Sequence, residues 1–283
     1  MQSGAIRPLN NMLPRNLFNA EHEAFRETVR KFYAKEVVPN IEKYEQQQHV
    51  DRELWNKAGT MGLLCATMPE AYGGSGVDRL YSMILIEEQA YAMDSSTGFS
   101  LHSDIVANYI NNFGNEAQKH YWLTRMASGE TVTAIAMTEP GTGSDLQAVR
   151  TTAVLDGDDY IINGSKIFIT NGYLCDMAIV VCKTGDSEKG SANLSLIIVE
   201  ANRAGFSKGK PLNKIGMKGQ DTCELFFDHV RVPKENLLGM EGMGFMMLMK
   251  ELAWERMLVA IICQAGAEAA LAHTVQYTKE RKA

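Results

Sequence analysis

Apolar positions recur at helical spacing through the first part of the chain. Asn19 is a natural cap, Glu21 and Glu23 follow in a first turn, and Phe25, Val29, Phe32 and Val37 carry the apolar face to a predicted stop at Pro39. A second short helix is expected at about 51–62. Beyond the glycine-rich loop 69–76, further helices are expected at 80–93, at 101–113 with a stop at Gly114, and at 116–127 with a stop at Gly129.

The period then changes from helical to strand-like. Short runs rich in β-branched and aromatic residues occupy 131–137, 149–155, 160–162, 165–170, 177–182, 194–199 and 223–227, with turn chemistry at Asp156-Gly157 and Asn163-Gly164. Strands this short with no helices between them predict an antiparallel barrel or sandwich rather than a parallel α/β sheet. From Gly244 to about Tyr277 the helical period returns. The expected fold is therefore α+β: an N-terminal helical domain (1–130), a central antiparallel β-barrel or sandwich domain (131–240) and the start of a C-terminal helical bundle (241–283).

The last helix holds the first chemical candidate. Phe245, Leu248, Leu252, Val259 and Ile262 form an apolar stripe, and Glu255 fills its missing step. A carboxylate there is poorly solvated, which raises its pKa and suits a general base; an ion pair with a neighbouring helix would leave it ionised and inert. Six methionines (240, 243, 246, 247, 249 and 257) cluster in the same region, fit for an adaptable apolar pocket or for core filling.

Composition narrows the classes. The 283 residues are 45% hydrophobic and 22% charged with net charge −6, which sets aside long disorder and a nucleic-acid footprint. No uninterrupted apolar run approaches the ~18 residues of a membrane span, so none is expected. Five cysteines without a C-x-x-C pair (65, 175, 182, 223 and 263) point to buried thiols in a reducing compartment, and the scattered histidines to no metal site. The first twenty residues carry Arg7 and Arg15 and no acid, a faint transit-peptide trait, but Pro8 and Pro14 favour a frayed terminus; a cytoplasmic location is expected.

Several motifs fail on context. Gly205-Phe-Ser-Lys-Gly209 matches the serine-hydrolase elbow, yet Pro211 and Gly216 follow where a helix is needed. Gly141-Thr-Gly143 opens a dinucleotide fingerprint, but Leu146 replaces its third glycine. Lys208, Lys210, Lys214 and Lys218 form an acid-free stretch that is either an anion attractor or a solvated loop.

Two segments survive. Thr138 to Leu146 joins two strands through Pro140-Gly141, and small residues at Gly143 and Ser144 leave N–H groups open to an anion; a plain glycine-rich turn is the alternative. In Ser165 to Gly172, alternation puts Phe168 and Thr170 on one face, an aromatic plane beside a hydroxyl, suited to a flat heterocycle or simply to a core edge.

Together with Pro211 to Thr222 and the closing 277–283 segment, these motifs resemble the acyl-CoA dehydrogenase family from about Leu17 to Ala283. The resemblance implies FAD held between the domains. It assigns Ile135, Ala136, Met137, Thr138, Gly143 and Ser144 to the flavin, with Ser144 also near the substrate. Phe168 would lie against the isoalloxazine, Ile169 beside it, and Thr170 would donate to flavin N5. Many relatives carry Trp at the position of Phe168. Arg281 matches an arginine that reaches a partner subunit's FAD.

In the long-chain and isovaleryl types the catalytic glutamate corresponds to Glu255. Most other relatives place it later, in the bundle. Met246, Ala253, Trp254 and Arg256 are then assigned with Ser144 to the substrate side, and Trp254 departs from the long-chain pattern. The expected activity is α,β-dehydrogenation of a medium- to long-chain acyl-CoA in fatty-acid β-oxidation. Electrons would pass to an electron-transfer flavoprotein from a homotetramer, in the cytoplasm or, in a eukaryote, the mitochondrial matrix. A flavin oxidase or monooxygenase and a catalytically silent binding protein are the alternatives. Relatives continue past the position of Ala283, so the resemblance implies a C-terminally truncated chain.

Overall fold

A computed structural model describes residues 15–185 and 190–282. The N-terminal features at Arg7, Pro8 and Pro14 lie outside the described residues, as does Ala283.

Helix α1 (Ala20–Phe32) begins where predicted. The Asn19 side chain accepts the His22 N–H at 3.0 Å, and His22 Nδ1 accepts the Asn19 N–H at 3.2 Å, a reciprocal cap with His in the usual Glu position. Pro39 does not end the helical path. The backbone widens through a π-helical stretch (Tyr33–Val37), tightens into a 3₁₀ turn (Val38–Asn40) and resumes as α2 (Ile41–Gln47). Proline falls in the first turn of a new segment, where its missing N–H costs nothing. Next come α3 (Arg52–Thr60) and α4 (Arg79–Tyr91), then a π-helical stretch (Leu101–Val106) running into α5 (Ala107–Phe113), and α6 (Glu116–Ala127). Buried charge ties α1 to α4: Arg26 Nη1 donates to Glu87 at 2.7 Å and Glu88 at 3.2 Å, and Arg30 also binds Glu88.

The central domain contains β1 (Thr133–Ala136), β2 (Thr152–Asp156), β3 (Asp159–Ile169), β4 (Met177–Lys183), β5 (Leu194–Glu200), β6 (Phe206–Lys208), β7 (Cys223–Pro233) and β8 (Leu237–Leu238). Their order is β6-β7-β3-β2-β4-β5-β8, with β1 on β4. Most pairs are antiparallel, as expected, but β1 and β2 both run parallel to β4. A single register pair, Thr152 with Lys183, joins β2 to β4, so the sheet folds over on itself. Ala136, Ile162, Val180, Ile197, Val230 and Val232 fill the space enclosed.

Asp156-Gly157 makes the predicted hairpin turn, but Asn163-Gly164 does not. The two runs around it are one strand, β3, bulged at Gly164 (φ +152°). A Cβ there would lie 2.4 Å from Thr151 Oγ1, so glycine serves close approach instead of reversal.

The outer face of β4 and β5 (Ile179, Val181, Leu196 and Ile198) packs on Tyr109, Ile110, Leu123 and Met126 of α5 and α6 in one continuous core. Helix α7 (Gly244–Glu280) enters that core through Met247 and Leu248 and then runs along α4. Its inward positions are Leu248, Glu251, Glu255, Leu258, Ile262, Ala265, Ala269 and Ala272, alternating steps of three and four. The predicted stripe has the right period but drifts in phase, because Leu258 turns inward and Val259 is 60% exposed. By length and composition α7 is apolar enough to cross a membrane. Core helices of soluble proteins pass the same test, which counts composition over a window and not unbroken apolar runs. Four cysteines are buried as expected, whereas Cys263 on α7 is exposed.

Candidate functional site

Two of the predicted segments meet. At the end of β1, the Thr138 carbonyl accepts the Ile167 N–H at 3.0 Å, bringing Ile135–Thr138 beside the end of β3. The pin beneath them is Lys166, fully buried, whose Nζ donates to Met137 O at 3.0 Å and to Glu139 Oε1 at 2.9 Å. Glu139 also accepts the backbone N–H groups of Arg150 (2.7 Å) and Thr151 (2.9 Å). Burial pushes this carboxyl up, but the Thr151 hydrogen bond and the Lys166 ammonium outweigh it and hold it below its ordinary value.

The loop beyond is closed by mutual Glu139–Thr142 backbone bonds of 2.9 and 3.0 Å and by Thr142 Oγ1 on Ala148 O at 2.9 Å. Its tip, Gly143 and Ser144, is exposed, and among the described residues no acceptor takes either N–H. A Cβ at Gly143 would meet nothing within 4 Å, so the protein's own packing does not require glycine there. An approaching group from outside would.

At Phe168 the strand departs from alternation. Pairing with β7 skips from Lys166–Leu225 to Ile169–Cys223, and Phe168 takes a left-handed φ of +61°. Regular pleating would bury Phe168 with Lys166. The left-handed step instead returns Ile169 to the core and leaves the Phe168 ring 64% exposed, so Phe168 and Thr170 are not related by simple alternation. Behind them, buried Asn171 donates to Gly98 O (3.0 Å) and Thr133 O (3.2 Å) and fixes the strand end on the helical domain. An exposed aromatic held in a strained backbone, half-buried Thr138 and Thr170, and free N–H groups at an open loop tip fit a flat heterocycle with an anionic tail.

Glu255 faces inward from α7 and is half-buried. The Tyr109 hydroxyl, from α5, donates to its Oε1 at 2.7 Å. Burial raises the carboxyl above its ordinary value; the Tyr109 hydrogen bond works against that, and neighbouring Glu251 adds to it. No cation pairs with Glu255 among the described residues, so the inert ion-pair alternative does not apply. Tyr109 belongs to the same apolar cluster as Ile135 and Met137 of the β1 segment.

Of the remaining candidates, Trp254 lies half-buried under the Arg79 guanidinium, 4.4 Å from its ring centre. Met246 and Ala253 are exposed, and at ~100° per residue they sit roughly opposite Glu255 on α7. Arg256 is exposed, as is Arg281 beyond the last turn. Cavities of about 520 Å³ (lined by Lys31, Lys35, Lys57 and Met61 among others) and 280 Å³ (lined by Tyr33, Tyr91 and His273 among others) include none of these residues. Sequence reasoning missed Lys166, Glu139, Asn171 and Tyr109, whose roles come from contacts distant in the chain.

Residues 19–130, 134–230 and 242–283 match, in turn, the N-terminal, middle and C-terminal domains of acyl-CoA dehydrogenase. The chain belongs to the acyl-CoA dehydrogenase family. It is 48% identical to the mitochondrial long-chain specific acyl-CoA dehydrogenase of Sus scrofa, over 100% of this chain and 66% of that protein, so it spans just under two thirds of that relative's length. It superposes on the acyl-CoA dehydrogenase of Geobacillus kaustophilus with a TM-score of 0.93 and 46% identity, covering 95% of this chain and 71% of that one. A structure of the Bacillus anthracis acyl-CoA dehydrogenase complexed with FAD is similar at a TM-score of 0.87 and 33% identity, covering 99% and 47%. The family accounts for the order helical, β, helical.

Proposed function

We propose that the chain acts in FAD-dependent α,β-dehydrogenation of an acyl-CoA thioester to the trans-2-enoyl-CoA, with Glu255 as the base. The observation that carries this is the state of Glu255: inward-facing, half-buried, paired with no cation among the described residues and oriented by one neutral hydroxyl. The residues that would hold FAD are Ile135–Thr138 along one edge, Gly143 and Ser144 at the phosphates, and Phe168 and Thr170 at the ring, with Ile169 buried in the core between them. When bound, the cofactor supplies the two-electron acceptor for the β hydride.

The chain's own part is proton chemistry and positioning. Glu255 Oε takes the proton from the substrate α-carbon, and its raised pKa brings it closer to that of the carbon acid it must deprotonate. Its partial burial limits the access of water to the carboxylate. Phe168, fixed in its left-handed turn, gives the ring site a preset wall, since its ring is already outside the core.

The likeness to long-chain relatives favours a medium or long acyl chain; Met246 and Ala253, on the opposite face of α7 from Glu255, do not line the space beside it. Electrons would leave to an electron-transfer flavoprotein. Assembly as a tetramer, a dimer of dimers, would let Arg281 reach a partner's FAD; its side chain makes no ion pair among the described residues. Mitochondrial and bacterial relatives accord with the matrix or the cytoplasm. Anaerobic addition of octanoyl- and palmitoyl-CoA to the FAD-loaded protein should bleach the flavin, and Glu255→Gln should slow bleaching by at least ~100-fold. Full bleaching by the variant would remove Glu255 as base. No bleaching by the wild type would favour a silent binder, and peroxide production in air an oxidase.

A further inference from the structure

Two acidic side chains on α7, one helical turn apart, are each held by a separate polar residue of α5. Tyr109 donates to Glu255 at 2.7 Å, and Asn112 Nδ2 donates to Glu251 at 2.9 Å. Tyr109 and Asn112 stand three residues apart, Glu251 and Glu255 four apart, so the two helices meet rung on rung in opposite directions. Glu251 is 5% exposed and Tyr109 fully buried, so neither contact is a surface accident.

We infer that Tyr109 is a positioning residue for Glu255, and that Glu251, hydrogen-bonded by Asn112 one turn away on the same face, is the charge set against it. This rests on Glu255 being the base. The geometry assigns each partner a sign. A neutral donor on one Glu255 oxygen favours the ionised form and fixes the carboxylate plane, leaving the second oxygen for the substrate proton. A carboxylate one turn away on the same face disfavours the ionised form and so makes Glu255 a stronger base once it is ionised.

The surroundings support both assignments. The Tyr109 hydroxyl is itself pushed far above the ordinary tyrosine range, chiefly by burial and then by Glu255, so it remains a donor throughout the neutral range. Three charged groups near these helices are otherwise engaged, and Arg256 beside Glu255 is exposed. The Arg79 guanidinium of α4 covers Trp254 and Lys250 Nζ lies 5.2 Å over the Phe113 ring, while buried Asp104, in the π-helical stretch before α5, binds Ser82. Asn112 gives Glu251 a donor of its own, separate from the one that Tyr109 gives Glu255.

The decisive experiment uses three single variants, Tyr109→Phe, Glu251→Gln and, for assignment, Glu255→Gln, in FAD-loaded protein labelled with ¹³C at glutamate side-chain carboxyls. The Glu255 titration, identified by its loss in Glu255→Gln, should move to higher pH in Tyr109→Phe and to lower pH in Glu251→Gln. The acidic limb of anaerobic flavin bleaching should move with it. At neutral pH, Tyr109→Phe should bleach roughly tenfold more slowly and regain much of that rate at higher pH. A uniform loss at all pH values, with the titration unmoved, would make Tyr109 a packing residue and overturn the inference. Should Tyr109→Phe fail to fold, an unmoved titration in Glu251→Gln overturns it by itself. Titrations that move as stated in a protein that bleaches with no acyl-CoA would uphold the pairing while ending the dehydrogenase reading. Normal bleaching with fixed titrations would do the reverse.

Discussion

At the residue scale, two buried titratable groups in the same stretch work against each other. His102 is fully buried; its Nδ1 accepts the Thr133 N–H at 3.2 Å and the hydroxyl at 2.8 Å, which leaves Nε2 to donate to Met126 O at 3.1 Å. Burial pushes its pKa down to about 4. Unfolded histidine binds a proton near ~6.5, so the unfolded chain gains protons first on acidification, and stability is lost as pH falls from about 6.5 to 4. Asp104, hydrogen-bonded by Ser82 at 2.5 Å, is pushed up to about 7 by burial. Its folded form binds protons more tightly than the unfolded chain, so its contribution is full below ~3.9 and is lost as pH rises through 7. Between pH 4 and 6.5 the two slopes oppose. Asp104→Asn should therefore leave a Tm that climbs with pH across that window, and His102→Gln one that falls. Melting curves of the two variants at half-unit pH steps check the sign of each.

The same scale shows what contact alone decides. Lys166 reads in sequence as an ordinary polar strand residue, yet it is fully buried against Glu139. Lys166→Met leaves a desolvated carboxylate without its cation and should cost about 3–5 kcal/mol, measurable by urea unfolding. The inward position of Glu255 was legible because an acid interrupts an apolar period, a local signal. Tyr109, its donor, lies 146 residues away, and nothing in its neighbours marks it.

At the scale of elements, the helices were largely legible because their ends carry local chemistry. Asn19 and Asn115 accept the N–H three residues on, and Asp78 the N–H two residues on, as capping side chains do. Strand β3 was harder: the Asn-Gly pair that ordinarily marks a hairpin is a bulge here, since Thr151 leaves no room for a Cβ. Phe168 shows the cost of such a departure. A left-handed aromatic stores ~1–3 kcal/mol of backbone strain, which makes sense where the ring serves something outside the core. Phe168→Gly should raise the Tm of the flavin-free protein and weaken FAD binding in the same variant. Higher Tm with unchanged FAD affinity would separate the strain from the flavin. The phase error in α7 has a similar origin, because a period read from the sequence does not tell whether Leu258 or Val259 faces α4.

At the scale of the molecule, the division into helical and β parts was legible from the change of period, but their union was not. The all-buried patterns of β4 and β5 require cover on both faces without naming it. The cover is α5 and α6 on one side and the folded-over sheet on the other, so both parts share one core. Residues 15–243 should accordingly unfold in a single cooperative step, with equal calorimetric and van't Hoff enthalpies. Helix α7 is bound differently along its length. Its first turns enter the shared core through Met247 and Leu248, whereas further on it meets α4 through Ala265 and Ala269 against Ala90 and Tyr91. Small side chains permit close approach but bury little apolar area, so this half should open at a lower free energy than the core. Ala269→Leu would force α7 away from α4, because both alanine contacts are already fully buried. Limited proteolysis should then cut the variant within 258–280 much faster than the wild type, while the main thermal transition shifts by no more than ~2 °C. An equal drop in the main transition would instead bind α7 to the core along its whole length.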